Sequence, residues 1–296
     1  MKKHAFLELA EKRIICFDGA MGTMLLEAGL PPGGVPEIWN LEKPEVVKSI
    51  HQKYFEAGAD VVHTNTFGGS APKLDVKGHA QKMKAINSRA VEIAKSVCPA
   101  GAFVAGDIGP TGTMLPPMGD ASIEMWEQAF TDQARALVDA GADIISIETM
   151  FSLDESKTAL NCAKKIADIP VIAGITFNQT PAGYYTMMGE TIAQCIAVLS
   201  ENGADVIASN CTLGSGDYIA LARQICQTTN KPVLIQPNAG KPVQNDDVTT
   251  YEQSPSEFAR DMQQVIDAGA RMVGGCCGTN AEFIRELAAM IRSRVT

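Results

Sequence analysis

The sequence predicts a (β/α)8 barrel whose active face lies at the C-terminal ends of the strands, and three observations carry that expectation. One local pattern recurs four times: EAGADVVHT (56–64), DAGADIISIE (139–148), ENGADVIASN (201–210) and DAGARMVGG (267–275). Each copy reads as a helix end, a tight glycine turn and a short apolar run of the kind buried on both faces in a parallel sheet. Four further apolar runs bring the candidate strands to eight: IICFDGA (14–20), FVAGDIG (103–109), VIAGITF (171–177) and VLIQPNAG (233–240). Amphipathic stretches lie between them. A doubly wound sheet is the alternative, but its common strand orders use about five or six strands.

In chain order, the run at 14–20 is the first strand, and KPEVVKSIHQKYFEAG follows as a helix. Val47, Ile50 and Tyr54 share one face of it, and Pro44 suits its first turn. MWEQAFTDQARALVDAG and SEFARDMQQVIDAG read the same way before the fourth and eighth strands. The longest irregular stretches all follow strands: PTGTMLPPMGDAS after the third, NQTPAGYYTMMGE after the fifth, and NAGKPVQNDDVTTYEQSPS after the seventh. Loops of that length are usually functional, and in this fold they build the active face. No linker or composition shift divides the chain, so residues 1–296 read as a single barrel domain.

Composition narrows the function classes. Of the 296 residues, 46% are hydrophobic and 20% charged, which excludes disorder as the dominant state. The formal charge of −9, with no basic tract, argues against a nucleic-acid backbone or an anionic membrane surface as partner. Glu8 and Glu11 interrupt the N-terminal stretch, so no secretory signal is read there, and no run approaches the roughly 20 apolar residues of a membrane span. The expected location is the cytoplasm. Eight cysteines in such a chain are better candidates for buried thiols, metal ligands or nucleophiles than for disulfides.

The residues just past each apolar run are Asp18, Asn65 with Thr66, Asp107, Glu148, Asn178, Asn210 with Cys211, Asn238, and Cys276 with Cys277. Polar strand ends are ordinary where strands meet water, but thiols at a rim are not. Cys211 follows the sixth strand and Cys276-Cys277 the eighth, about 10 Å apart between backbones at about 4.8 Å per neighbour. Three thiolates at tetrahedral zinc leave one position open, the mark of a catalytic site. Unrelated buried thiols, a vicinal disulfide and a four-cysteine structural site are the competing readings. The absence of any C-x-x-C pair weakens the last, and the glycines of GGCCGT let adjacent side chains converge. Cys16, Cys98, Cys162, Cys195 and Cys226 fall within or at the edges of predicted elements and read as ordinary thiols. A net-negative trithiolate site suits alkyl transfer to a substrate thiol rather than hydrolysis, and needs no histidine base.

FDGAMGTML, HTNTFGGS, GDIGPTG, IETM, SNCTLG, QPNAGKP and GGCCGT, in that order, resemble the zinc-dependent homocysteine S-methyltransferase family. The likeness runs from about Ile14 to the C-terminus. DGAMGT and PNAGKP are most similar to the homocysteine module of cobalamin-dependent methionine synthases. The resemblance implies that Cys211, Cys276 and Cys277 hold Zn2+ and carry catalysis through it. It implies that Asp18 and Glu148 hold the amino group of homocysteine, or of a similar small thiol. Backbone amides at Gly19, Ala20 and Met21 receive its carboxylate in that picture, Asn238 approaches metal or substrate, and Asn65 and Asp107 belong to the pocket; for Asp107 a helix cap or loop anchor is an equal alternative.

The corrinoid-module motif D-x-H-x-x-G is absent, so the chain reads as a stand-alone enzyme or a piece of a larger one. The expected methyl donor is methylcobalamin on a separate corrinoid protein. S-methylmethionine, a betaine or another small donor is the alternative, with Trp39, Trp126, Tyr184 and Tyr185 either lining a cationic-donor site or packing loops. A non-catalytic thiol-metabolite sensor is the reading from another class.

Overall fold

The computed structural model describes residues 2–166, 168–245 and 248–294. Eight strands form one parallel sheet: β1 (Ile15–Cys16), β2 (Val61–His63), β3 (Phe103–Ile108), β4 (Ile144–Ile147), β5 (Val171–Gly174), β6 (Val206–Gly214), β7 (Val233–Asn238) and β8 (Met272–Val273). Spatial order follows the chain, with β1 paired to β8. A parallel bridge from Phe17 to Val61 joins β1 to β2 and completes the ring. One long helix follows each strand: α1 (Pro44–Ala57), α2 (Met83–Ser96), α3 (Ile123–Asp139), α4 (Leu153–Ile166), α5 (Ile192–Glu201), α6 (Ser215–Thr228), α7 (Pro255–Asp267) and α8 (Ala281–Ser293). This is the (β/α)8 barrel that the sequence predicts.

The recurring Gly-Ala-acid pattern has a physical reason. Gly58, Gly141, Gly203 and Gly269 all adopt positive φ, where a side chain is strained. Three of the copies then carry an aspartate that accepts the first free N–H of a neighbouring strand. Asp60 accepts from Cys16, Asp143 from Val104 and Asp205 from Val171, each at 2.9 Å. Each also pairs with a cation, Arg13, Lys95 and Lys164 respectively. In the fourth copy Arg271 replaces the aspartate and donates to the carbonyls of Ala10 and Glu11. It thereby ties down the N-terminal helix Lys2–Lys12, whose Phe6 packs edge-on against Phe17 and Phe103 inside the barrel.

Strand pleating sorts side chains between two cores. Ile15, Phe17, Val61, Ala105, Ile144, Ile172, Val206, Leu234 and Met272 face the barrel interior. Cys16, Val62, Val104, Ile145, Ile207, Ile235 and Val273 face the helices. The interior rows turn polar toward the C-terminal ends, at His63, Asp107, Ser146, Asn210 and Gln236, all buried. Helix starts are locally encoded: Thr191 with Gln194 and Ser254 with Glu257 form capping boxes, and Ser122 and Asn280 cap α3 and α8.

Two loops expected to be irregular are hairpins. Asn178–Thr180 pairs with Gly183–Tyr185, and Pro242–Asn245 with Val248–Tyr251. Trp39 and Tyr184 are buried, and Trp126, also buried, lines a pocket of about 390 Å³. Among the described residues no helix is long and apolar enough to cross a membrane.

Candidate active site

Cys211 sits inside β6 in an unusual backbone. Its φ is +61° and that of Thr212 is +55°, so two successive non-glycine residues are left-handed and the ladder to β7 shifts between Asn210 and Gly214. Such strain persists only where neighbours hold it. The Thr212 hydroxyl donates to Phe177 O at 2.9 Å, and the Tyr218 hydroxyl donates to Cys211 O at 3.1 Å. The result turns the Cys211 thiol toward the mouth. Cys276 and Cys277 follow β8 and are tied to β7: Cys276 N donates to Pro237 O at 2.8 Å, and Cys277 O accepts from Ala239 N at 2.9 Å.

The three sulfurs converge. Cys211 Sγ lies 3.9 Å from Cys277 Sγ, which lies 4.0 Å from Cys276 Sγ, and all three fall within 4.8 Å of one another. Tetrahedral zinc with Zn–S of about 2.3 Å places its sulfurs about 3.8 Å apart, so the cluster fits the ion with little movement. Hydrogen bonds from Cys211 and then Cys276 pull the Cys277 thiol down to about 3. Hydrogen bonding to Cys211 and Cys277, with burial, holds Cys276 well above the ordinary thiol range. The Tyr251 hydroxyl hydrogen-bonds the Cys277 sulfur and lowers it further. Tyr251 reaches it because residue 278 is glycine: a Cβ there would stand 2.4 Å from the Tyr251 ring.

A cavity of about 890 Å³ opens beside the thiols, lined by Cys211, Cys276, Cys277, Glu148, Asp107 and His63 among others. Asp107 and Glu148 are hydrogen-bonded to each other, and burial raises both, with Asp107 pushed well above the carboxylate range. Asp107 Oδ1 has no hydrogen-bond partner among the described residues. Asn210 Nδ2 donates to Glu148 Oε2 at 2.8 Å.

Asp18 is held by His63. Its Oδ2 accepts the His63 N–H and its Oδ1 meets His63 Nδ1, both at 2.8 Å, while His63 Nε2 contacts Ser146 Oγ at 3.1 Å. Asp18 is 1% exposed and is not part of the cavity wall. Glu148 and Asp107 line the cavity, and Asp18 stands behind His63, near enough that its charge acts on both. Burial opposes charge on that imidazole, but Asp18 and then Glu148 more than offset it, so its pKa is raised.

Gly19, Ala20 and Met21 line the cavity, although the Ala20 N–H is taken by Thr279 O and Oγ1. Asn65 also lines it, with its Nδ2 donated to Pro36 O and Asn40 Oδ1. Asn238 lies in β7, between the two cysteine-bearing strands, and its buried Oδ1 has no partner among the described residues. His63, Thr149, Asn210 and Tyr251 receive no role from sequence reasoning. Pleat parity could have found His63 and Asn210, which are in phase with interior Val61 and Ala208.

A closed parallel barrel with three convergent thiols and buried carboxylates at its C-terminal mouth defines an enzyme-like site whose donor set could hold a thiophilic metal ion. The homocysteine S-methyltransferase family profile matches residues 15–291, so the chain belongs to that family of enzymes. Curated relatives include the methionine synthases of Mycobacterium leprae, 34% identical, and Mycobacterium tuberculosis, 33% identical. Each alignment covers 96% of this chain and 25% of the relative, so the chain spans about a quarter of their length. Among solved structures, the metallated homocysteine methyltransferase MmuM from Escherichia coli superposes with a TM-score of 0.79 at 24% identity, covering 96% of this chain and 99% of that one. A methyltransferase from Methanosarcina mazei shares the fold at a TM-score of 0.65 and 12% identity over 100% of this chain and 99% of that one.

Proposed function

We propose that residues 1–296 form one catalytic domain that transfers a methyl group to the thiol of homocysteine, giving methionine, with the acceptor held at zinc by Cys211, Cys276 and Cys277. The observation that carries this reading is the 3.9–4.0 Å spacing of the sulfurs beside a carboxylate pair. Bound there, zinc supplies a Lewis acid that acidifies the incoming thiol. The protein's own groups do the rest. Glu148, with Asp107 behind it, receives the substrate ammonium, whose charge favours the ionised form of both carboxyls. His63 neutralises Asp18 and keeps the wall from accumulating negative charge. Amides at Gly19 and Met21 take the substrate carboxylate. Asn238 Oδ1, without a hydrogen-bond partner among the described residues, would be free to approach metal or substrate. The cavity wall excludes bulk water from the sulfur.

The proposed donor is a methylated corrinoid on a separate protein, in the cytoplasm. Support comes from the methionine synthase relatives and from an exposed apolar rim: Met114, Met118, Met187, Met188 and Phe67 flank a second pocket of about 390 Å³ that shares Phe67 and Phe151 with the main cavity. Contiguous exposed apolar surface of this kind marks contact sites. An assay of the metal-loaded protein with homocysteine and a donor panel tests the reading: methylcobalamin, S-methylmethionine and betaine. Methionine from methylcobalamin supports it. Methionine from a small donor alone replaces the donor assignment, and homocysteine binding without methionine from any donor makes the chain a sensor.

A further inference from the structure

We propose that Asn210 is a positioning residue that fixes the span between the thiol site and the amino-group carboxylate, and thereby selects the chain length of the acceptor. The inference rests on the acceptor reading above.

Asn210 is buried at 2% exposure, directly before Cys211. Its one planar amide touches both halves of the site. Nδ2 donates to Glu148 Oε2 at 2.8 Å and to Thr149 Oγ1 at 2.7 Å, and stands 3.9 Å from Cys276 Sγ. Oδ1 accepts the Thr149 N–H at 2.8 Å. The two Nδ2 hydrogens are thus committed to the end of β4, and the sulfur contact is a weak third. Thr149 needs that hold, because its φ of +57° is left-handed for a β-branched residue. Glu148 and Thr149 therefore cannot reorient without breaking bonds to a side chain whose own backbone continues into a thiol of the cluster.

The consequence is a ruler. An acceptor must present its thiol to the cysteine cluster and its ammonium to Glu148 at once. With both ends fixed, removing one methylene from the acceptor forfeits one contact. Loosening Asn210 lets Glu148 swing, which costs the well-fitted acceptor more than the short one. Groups held in place by such outer contacts commonly lose 10–100-fold in affinity or activity when the contact is removed.

The experiment titrates homocysteine and cysteine, which is one methylene shorter, into metal-loaded wild type, Asn210→Ala and Asn210→Asp by calorimetry. Metal content and thermal midpoint are measured alongside. Asn210→Asp preserves shape and the bond from Thr149 N–H while replacing the donor facing Glu148, so it remains informative if the alanine variant does not fold. The expected result is metal retained, homocysteine affinity reduced about 10- to 100-fold, cysteine affinity changed far less, and the loss in turnover appearing in KM rather than kcat. An unchanged homocysteine-to-cysteine ratio in a folded, metal-bearing variant overturns the inference and leaves the acceptor reading standing. Wild type that binds neither amino acid overturns the acceptor reading, and the inference with it.

Discussion

At the residue scale, three thiols, two carboxyls and one imidazole divide the work, and each can be removed separately. Cys211→Ala, Cys276→Ala and Cys277→Ala should each lose zinc, because two remaining sulfurs cannot complete a tetrahedral set. Cys98→Ala and Cys226→Ala, far from the cluster in sequence and outside it in space, should keep full metal content by elemental analysis. Full retention in Cys276→Ala would remove the ligand assignment. Glu148→Gln should keep zinc yet weaken homocysteine binding about 10- to 100-fold, since a hydrogen bond to a charged group is worth roughly 1.5–3 kcal/mol. Unchanged affinity by calorimetry would place the ammonium elsewhere. His63 has a pH signature. Its pKa is raised in the fold, so its contribution is complete below the unfolded value of about 6.5 and fades as pH rises through the raised one. His63→Gln should therefore cost more stability at pH 6 than at pH 9, and equal costs in denaturant titrations would show that the imidazole is neutral.

At the element scale, the strand ends carry the chemistry because the loops there are unusually shaped. Thr149, Cys211 and Thr212 are left-handed without being glycine, and all three sit where β4 and β6 deliver site residues. Gly278 does the opposite service, letting Tyr251 lie against the Cys277 sulfur. Gly141 is a useful comparison, having positive φ but nothing within 4 Å of a built Cβ. Gly141→Ala should cost about 1–2 kcal/mol from backbone strain alone. Gly278→Ala should cost more, since it also displaces Tyr251, and equal losses in urea would deny the close approach any importance. The hairpins were not legible in the sequence. Pro181 and Gly183 mark a turn, but the flanking runs NQT and YYT are polar and too short for a strand period to show.

At the scale of the whole molecule, much of the architecture could be read because a buried parallel strand is a dense signal. The repeated glycine turns marked where four helices stop and four strands begin. What could not be read was how the strand-end carboxylates are partnered at the mouth. Asp18, Asp107 and Glu148 look alike in sequence, yet a pleat alternates faces every residue. Asp107 is in phase with interior Phe103 and Ala105, and Glu148 with Ile144 and Ser146, while Asp18, just past β1, meets the interior His63 at 2.8 Å. The His63 contact that holds Asp18 joins β1 to β2, and the sequence alone does not say which neighbour a strand-end carboxylate takes as partner. The thiols were legible because three cysteines at two strand ends have no ordinary reason to be there.

The central claim is that the acceptor thiol loses its proton at the cysteine cluster. Free homocysteine has a thiol near the ordinary value of about 8.5, so at neutral pH it arrives protonated. Binding to a metal held by the three cysteines must release that proton. The Asp107–Glu148 pair complicates the count, and the control for it is 2-aminobutyrate, which brings the ammonium without the thiol. Calorimetry in two buffers of different ionisation enthalpy counts the protons directly. The expected result is close to one more proton released by homocysteine than by 2-aminobutyrate near pH 7; an equal count for the two ligands would mean the thiol binds neutral or never reaches the metal, and would contradict the account.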